Sequence, residues 1–253
     1  MKLTRRCGDL LHLLRAARWL TTGQVQRRFF PQATADAARK RLRKLTQAGY
    51  LVRFREHGMS EALFALGPEG KRMLELDGKE IILERKPPKQ LPHFIGVNDL
   101  RIAAELAGPV SFFFSYWELP DLGWRYPVIP DAVFSLRGRT FALEFDRGLE
   151  GVRFFMNTKI RFYRQGLKGF PLSAVLVVAD RKPRMLTLAR AISNEGGQFL
   201  FSTLEEVKKH GLLAAVFRPQ ADGGVISLFA GSLVKVSSRQ ETVSVSRRME
   251  SAI

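Results

Sequence analysis

The stretch that most constrains this chain runs from residue 126 to 163, YPVIPDAVFSLRGRTFALEFDRGLEGVRFFMNTKIRFY. Two short alternating segments, 131–136 and 140–146, flank the turn Arg137-Gly138-Arg139 and predict a β-hairpin. On its second strand Thr140, Ala142, Glu144 and Asp146 share one face, and Phe141, Leu143 and Phe145 share the other. Asp131 opens the first strand, so three carboxylates converge on one patch of an otherwise apolar hairpin. Carboxylates so placed repel one another unless a cation or hydrogen-bond donors offset the repulsion.

The chain has 253 residues, 45% of them hydrophobic and 10% aromatic, enough to give two ordinary domains real cores. A net charge of +17 points to a polyanionic partner, nucleic acid or an acidic membrane surface. The charge is concentrated: residues 1–55 hold 14 Lys/Arg against Asp9 and Asp36, a net of +12, and the other 198 carry only +5. A basic module joined to a nearly balanced one suits a nucleic-acid reader attached to something else. No apolar run approaches the ~20 residues of a membrane span, and the basic N-terminus lacks the apolar region of a signal peptide. Cys7, the single cysteine, excludes an intramolecular disulfide and a cysteine-rich zinc site. His12, His57, His93 and His210 show no ligand spacing. The expectation is a soluble protein of the reducing cytoplasm with no membrane partner.

Leucines at 10, 11, 13 and 14 make residues 9–18 an amphipathic helix. Residues 21–30 predict a second, with Thr21 or Thr22 as N-cap and Pro31 as its stop. Thr34 caps a third, which runs to Gln47 or Ala48 and ends at Gly49. Ala35, Ala38, Leu42 and Leu45 fall on one stripe of it; Asp36, Lys40, Arg43, Lys44 and Gln47 lie opposite, flanked by Arg39 and Arg41. Residues 50–54, a polar turn at 56–60 and residues 62–66 predict a hairpin. Three helices followed by a hairpin is the order of a winged helix, a helix-turn-helix variant whose third helix enters the major groove. A solvated charged face is the alternative for the third helix, but the charge excess spans the whole module. Arg39, Lys40, Arg43 and Lys44 are the candidate DNA contacts, with phosphate contacts from Arg53 and Arg55 on the wing.

Residues 68–76 predict one more short helix. The proline- and charge-rich stretch 84–92 reads as a semi-rigid linker between domains at 1–83 and 93–236, with a Ser/Arg-rich mobile tail at 237–253. Beyond the linker come a helix at 94–107, a strand at 110–119, the acidic hairpin, a helix at 150–165 and a strand at 173–179. A helix at 184–194 stopped by Gly196-Gly197, a strand at 198–201 and a helix at 204–210 capped by Thr203 complete the order. The cluster Phe112-Phe113-Phe114 with Tyr116-Trp117 reads as sheet core rather than a base-stacking platform. In the 150–165 helix, Val152, Phe155, Met156, Phe162 and Tyr163 form a core-facing arc with Lys159 in its middle. A lysine there needs to snorkel or find a buried partner, and Asp146 or Glu144 is the expected one.

Pro130-Asp131, followed thirteen residues after the Asp by Glu144-Phe145-Asp146 in this helix–strand order, resembles the PD-(D/E)XK nuclease superfamily. The resemblance implies that Asp131 and Glu144 hold Mg2+ or Mn2+, which activates water against a phosphodiester. Asp146, and Glu105 on the preceding helix, are further ligand candidates. One slot departs from the pattern: the lysine expected two residues after the Glu is Asp146 here. Lys159, with Tyr163 one turn on, is the expected replacement, so the implied catalytic set is Asp131, Glu144, Asp146, Lys159 and Tyr163. The alternative is a structural Asp146–Lys159 ion pair in a fold that has lost catalysis. More specifically, over roughly residues 8–205 the chain resembles the replication-relaxation family of plasmids and other mobile elements. Residues 20–54, HFIGVNDLR at 93–101, Pro130-Asp131-Ala132, Glu144-Phe145-Asp146-Arg147-Gly148 with Glu150, and Lys159 with Tyr163 carry that resemblance. Arg147 and Glu150 read equally as caps of the following helix.

The expected fold is α+β in two domains: a winged helix-turn-helix, then an α/β PD-(D/E)XK-like domain with an α-β-β-β-α-β core. The expected function is DNA binding in replication or DNA relaxation, with metal-dependent nicking or cleavage. A non-catalytic regulator or replication accessory with an inactive nuclease-like domain is the alternative. The implied partners are double-stranded DNA, a relaxase or replication protein, and a second copy of the chain; RNA binding through the basic module is a third reading.

Overall fold

The structure, a computed structural model, describes residues 3–75, 81, 83–165, 171–192 and 198–229. The expected tail at 237–253 and the Gly196-Gly197 stop lie outside the described residues. The chain is mixed α+β with two separate sheets, and it divides into two compact units, Met1–Ile102 and Ala103–Ile253.

The first unit opens with α1 (Arg5–Ala17), β1 (Leu20–Thr21), α2 (Thr22–Phe29) and α3 (Ala35–Gln47). The hairpin β2 (Leu51–Phe54) and β3 (Leu63–Leu66) and the short α4 (Pro68–Leu74) follow. Thr21, not Thr22, caps α2: its hydroxyl accepts from the Gln24 N–H while the Gln24 carboxamide accepts from the Thr21 N–H. Thr34 caps α3 by accepting from the Ala37 N–H, and Gly49, at φ 76°, lets the chain turn away beyond it. Leu51 pairs with Leu66 and Phe54 with Leu63 across the hairpin. The two-residue β1 joins β3 on its other side, giving the order β1-β3-β2. One core holds Leu10, Leu11 and Leu14 of α1, Val25 and Phe29 of α2, Leu42 and Leu45 of α3, and Leu51, Phe64 and Leu66 of the hairpin. Each such side chain contributes about 1.5–3 kcal/mol on burial.

Helix α5 (Leu91–Ala107) begins inside the proline-rich stretch, and the division between the units falls within it, after Ile102. Its polar residues explain why its first part belongs to the first unit. Asn98, fully buried, donates from Nδ2 to the carbonyls of Ala17 (2.9 Å), the last residue of α1, and Trp19 (2.7 Å), just beyond it. Asp99 accepts from Gln24 Nε2 at 2.9 Å and from Arg27, both on α2, and Gln24 Nε2 also reaches the Ile95 carbonyl at 2.8 Å. These bonds satisfy polar groups that would be costly to bury alone.

The second unit is built on a five-stranded sheet of β4 (Val110–Ser115), β5 (Ala132–Leu136), β6 (Arg139–Asp146), β7 (Ala174–Ala179) and β8 (Phe199–Thr203), in that order. The first three strands are antiparallel, and β6, β7 and β8 run parallel. Parallel neighbours need crossovers. One is the helical segment α6 (Val152–Phe155), a π-helical turn at Met156–Ile160 and α7 (Arg161–Arg164); the other is α8 (Lys182–Ile192), and α9 (Leu204–His210) follows β8. The β5–β6 turn is tighter than the sequence predicts. Arg137 (φ 50°) and Gly138 (φ 74°) form a two-residue left-handed turn, and Arg139 already pairs with Leu136. Strand β4 stops at Ser115, short of the expected residue 119, where the Glu118 carboxylate accepts the Ser115 N–H at 2.8 Å and a turn begins. Val133, Ala142, Phe155, Ile160, Tyr163, Val175, Val177, Leu188 and Phe201 belong to one core. Phe113 stacks on Phe134 at 5.3 Å, and Phe112 and Phe114 pack against that core, so these aromatics serve the sheet. Among the described residues no helix is long and apolar enough to cross a membrane.

Candidate functional site

The middle strand β6 places the acids. Ala132 faces Leu143 across the β5–β6 ladder, which sets Asp131 beside Glu144 just before β5 begins. Asp131 Oδ2 accepts the Phe145 N–H at 2.7 Å. Glu144, whose neighbour on β7 is Val177, has no solvent exposure at all. An isolated buried carboxylate would be too costly to keep, so its partners decide its state. Lys159 Nζ donates to Glu144 Oε2, and the Tyr163 hydroxyl donates to Oε1. Both donors come from one crossover helix, Lys159 from its π-helical turn and Tyr163, four residues on, from α7. The Phe155 ring lies 5.6 Å from Lys159 Nζ and adds a cation–π contact.

Burial pushes the Glu144 pKa up to about 7; Lys159 pulls it back, Asp131 raises it further, and the hydrogen bonds from Lys159 and Tyr163 lower it. Burial also works against the Lys159 charge, but Glu144, Asp131 and Glu150 outweigh it and hold the ammonium above the usual lysine value. Burial, then the Glu144 charge, lifts Tyr163 well above an ordinary phenol, so it remains a donor. With both carboxylates ionised, Asp131, Glu144, Lys159 and Tyr163 together carry one excess negative charge.

Asp146 does not join them, which corrects its expected place in the site. Arg184 binds it bidentately, Nε to Oδ1 at 2.8 Å and Nη2 to Oδ2 at 2.9 Å, and Oδ1 also accepts the Gly148 N–H at 2.6 Å. Of the two expected partners, Lys159 takes Glu144, and Asp146, the partner in the alternative ion pair, binds Arg184 instead. Arg184 Nη2 further donates to the Glu150 carbonyl at 2.7 Å and so shapes the loop after β6. Nothing in the sequence reading singled out Arg184. The one available signal was a cation in the first turn of α8, where the helix dipole disfavours it. Arg147 and Glu150 do not cap the crossover: Gly151 is the N-cap of α6, with no side-chain cap bond.

No group of three or more His, Cys, Asp or Glu able to hold a metal forms among the described residues. Asp146 is committed to Arg184, and Glu105, half-buried on α5, does not gather with Asp131 and Glu144 as a third acid. What remains is a two-carboxylate set, and its donor chemistry fits Mg2+ or Mn2+, which take one or two carboxylates and keep several waters. Each carboxylate oxygen has two lone pairs, so Glu144 retains acceptor capacity beyond its bonds to Lys159 and Tyr163.

In the first unit Arg39, Lys40, Arg43 and Lys44 of α3 and Arg53 and Arg55 of the hairpin are all exposed. Arg39, Lys40, Arg43 and Arg53 line one groove of about 470 Å³, shared with Asp36 and Glu61; Lys44 and Arg55 lie outside its lining. Lys40 pairs with Asp36 at 3.1 Å, an exposed contact worth at most ~0.5 kcal/mol. Arg41, the other flank of α3, turns inward, and its Nε and Nη2 donate to the buried Cys7 sulfur at 3.0 and 2.9 Å.

A buried acid–lysine–tyrosine cluster on a mixed sheet, and a separate basic helix beside a hairpin, define a two-unit protein with two distinct polar sites. The replication-relaxation family matches residues 11–168, across both of them, and the chain belongs to that family. No curated protein and no solved structure matches it.

Proposed function

We propose that this is a DNA-binding protein of a plasmid or other mobile element, acting in its replication or DNA relaxation by nicking or cleaving DNA. Family membership supports the setting. For the first unit, we read the three helices and hairpin as a winged helix-turn-helix that docks α3 on duplex DNA. Arg39, Lys40, Arg43 and Lys44 take the groove and Arg53 and Arg55 the backbone. For the second, we read the β4-β5-β6 meander, its crossover and β7 as a PD-(D/E)XK-like core.

The observation that carries the catalytic reading is the meeting of Lys159 and Glu144 beside Asp131. A divalent cation held by Asp131 and Glu144 would supply charge stabilisation and an activated water. Lys159 holds a positive charge where a phosphodiester's charge develops, the place of the lysine missing from position 146. Tyr163, protonated and buried, fixes the Glu144 carboxylate by donating to it. Burial keeps these charges strong by excluding water.

A second reading is favoured by one observation: both Glu144 oxygens already have internal partners. On it the second unit is a non-catalytic platform of a replication accessory. Supercoiled plasmid incubated with the protein and Mg2+ or Mn2+ separates the two. Conversion to open-circle or linear DNA that is lost in Asp131→Ala and Glu144→Ala supports catalysis. Unconverted plasmid with duplex binding retained supports the accessory.

A further inference from the structure

The crossover helix that presents Lys159 inward has an unusual outer face. Phe154 is 55% exposed, and Leu149, in the loop before it, is 77% exposed. Phe154 is the one aromatic among the exposed large hydrophobic residues described. Arg153, Asn157, Thr158 and Arg161 are exposed positions of the same crossover, and residues 151–165 contain no Asp or Glu, the one acid beside the patch being the exposed Glu150 next to Leu149. Arg153 directly precedes Phe154, and Arg161 follows the π-helical turn seven residues on. The ring beside Phe154, that of Phe155, points the other way, into the core against Lys159. The outer face and the Glu144 cluster therefore lie on two sides of one helix, about 10 Å across.

We propose that this face is a stacking platform for single-stranded DNA. Phe154 takes an unpaired base on its ring, Leu149 covers the edge of that base, and Arg153 and Arg161 hold the flanking phosphates. Duplex DNA offers phosphates but hides its base faces in the stack, so an exposed ring between cations gains little from a duplex. An unpaired base of any identity has a π-face to offer, and base–aromatic stacking depends little on sequence. The inference rests on the nicking reading above and deepens it, since it names the form of DNA the second unit receives: a locally opened strand.

The test uses the full chain and a labelled single-stranded oligonucleotide, with a duplex of the same length, both read by fluorescence anisotropy at one salt concentration. Phe154→Ala should weaken single-strand binding by about 5- to 150-fold, the loss of one stacked base, and leave duplex binding unchanged. Phe154→Trp should restore or strengthen it. The proposal is overturned if the wild-type chain does not bind the single strand, or if Phe154→Ala weakens both forms equally or neither. It is also overturned if Phe154→Ala alters self-association by light scattering while single-strand binding persists, which would make the patch a protein interface. Failure of plasmid conversion with Phe154-dependent single-strand binding intact would sink the catalytic reading and leave the platform standing.

Discussion

Arg184 and Asp146 meet through two parallel hydrogen bonds, at 2.8 and 2.9 Å, across 38 residues of chain. At the position where the PD-(D/E)XK resemblance implies a lysine, the pair acts as a brace. The same guanidinium holds the Glu150 carbonyl, so the loop between β6 and the crossover is tied to α8. Glu150 in turn acts on the Lys159 charge, which links the brace to the cluster.

Arg184→Ala leaves a mostly buried Asp146 without its cation and should cost about 3 kcal/mol in chemical denaturation of the full chain. Arg184→Lys should recover only part of this, because one ammonium cannot reproduce the planar two-point fork. Equal stability of the Lys and Arg forms would remove the fork from the account.

Lys159→Met should abolish plasmid conversion and leave duplex binding by electrophoretic shift unchanged, since Lys159 lies in the buried cluster and not on α3 or the hairpin. Removing one partner of a buried pair should also destabilise the chain by about 3 kcal/mol at pH 8, and by less at pH 5, where Glu144 takes up a proton instead. Unchanged conversion would exclude Lys159 from the chemistry.

Tyr163→Phe removes one donor from a buried carboxylate and should cost about 1.5–3 kcal/mol. If Tyr163 only positions Glu144, conversion slows but persists, and no detergent-resistant protein–DNA adduct forms in either protein. A covalent adduct that disappears in Tyr163→Phe would overturn the positioning role.

The Glu144 pKa, raised by burial to about 7, predicts a pH signature in metal-free buffer. A carboxyl whose folded pKa exceeds its unfolded value favours the folded state at low pH. That contribution is full below pH ~4.5 and is lost as pH rises through about 7. Wild type should therefore lose about 3 kcal/mol over this window relative to Glu144→Gln, whose stability lacks this titration. Parallel stability curves for the two proteins would show that Glu144 is ionised throughout.

Arg43→Ala and Lys40→Ala should each weaken binding to all duplex sequences and reduce the slope of log K against log salt by about 0.9 per lost phosphate contact. If Arg43→Ala instead relaxes preference at one base position with the slope unchanged, Arg43 reads a base edge.

The local signals in the sequence carried far. Thr21 and Thr34 mark helix starts because their hydroxyls satisfy local N–H groups, and the Ala38, Leu42 and Leu45 stripe marks the buried side of α3. The alternation around Glu144 and the arc around Lys159 place both at one site, since strand and helix periods act over a few residues. What stayed hidden depends on distance along the chain. The choice of Glu144 over Asp146 as the lysine's partner follows from a register and from Arg184, far downstream. Asn98 and Asp99 stand in the segment HFIGVNDLR that carries the family resemblance, but nothing local names their partners, which sit some 75 to 81 residues away on α2 and at the end of α1. The two-residue β1 is too short for any periodicity to reveal.

The widened turn at Met156–Ile160 makes the crossover a measuring device. A regular α-helix advances about 100° per residue, so the number of residues in that turn sets the angle at which everything after it leaves. Tyr163 lies past the turn and Lys159 inside it, yet both point at one carboxylate. Deleting one residue from Met156–Thr158 would tighten the coil into a regular helix, keep Lys159 and Tyr163 four residues apart, and turn both away from Glu144 together. The length of this turn carries information in the way a side chain usually does: a chain one residue shorter before Lys159 would have to find both donors for its buried carboxylate elsewhere.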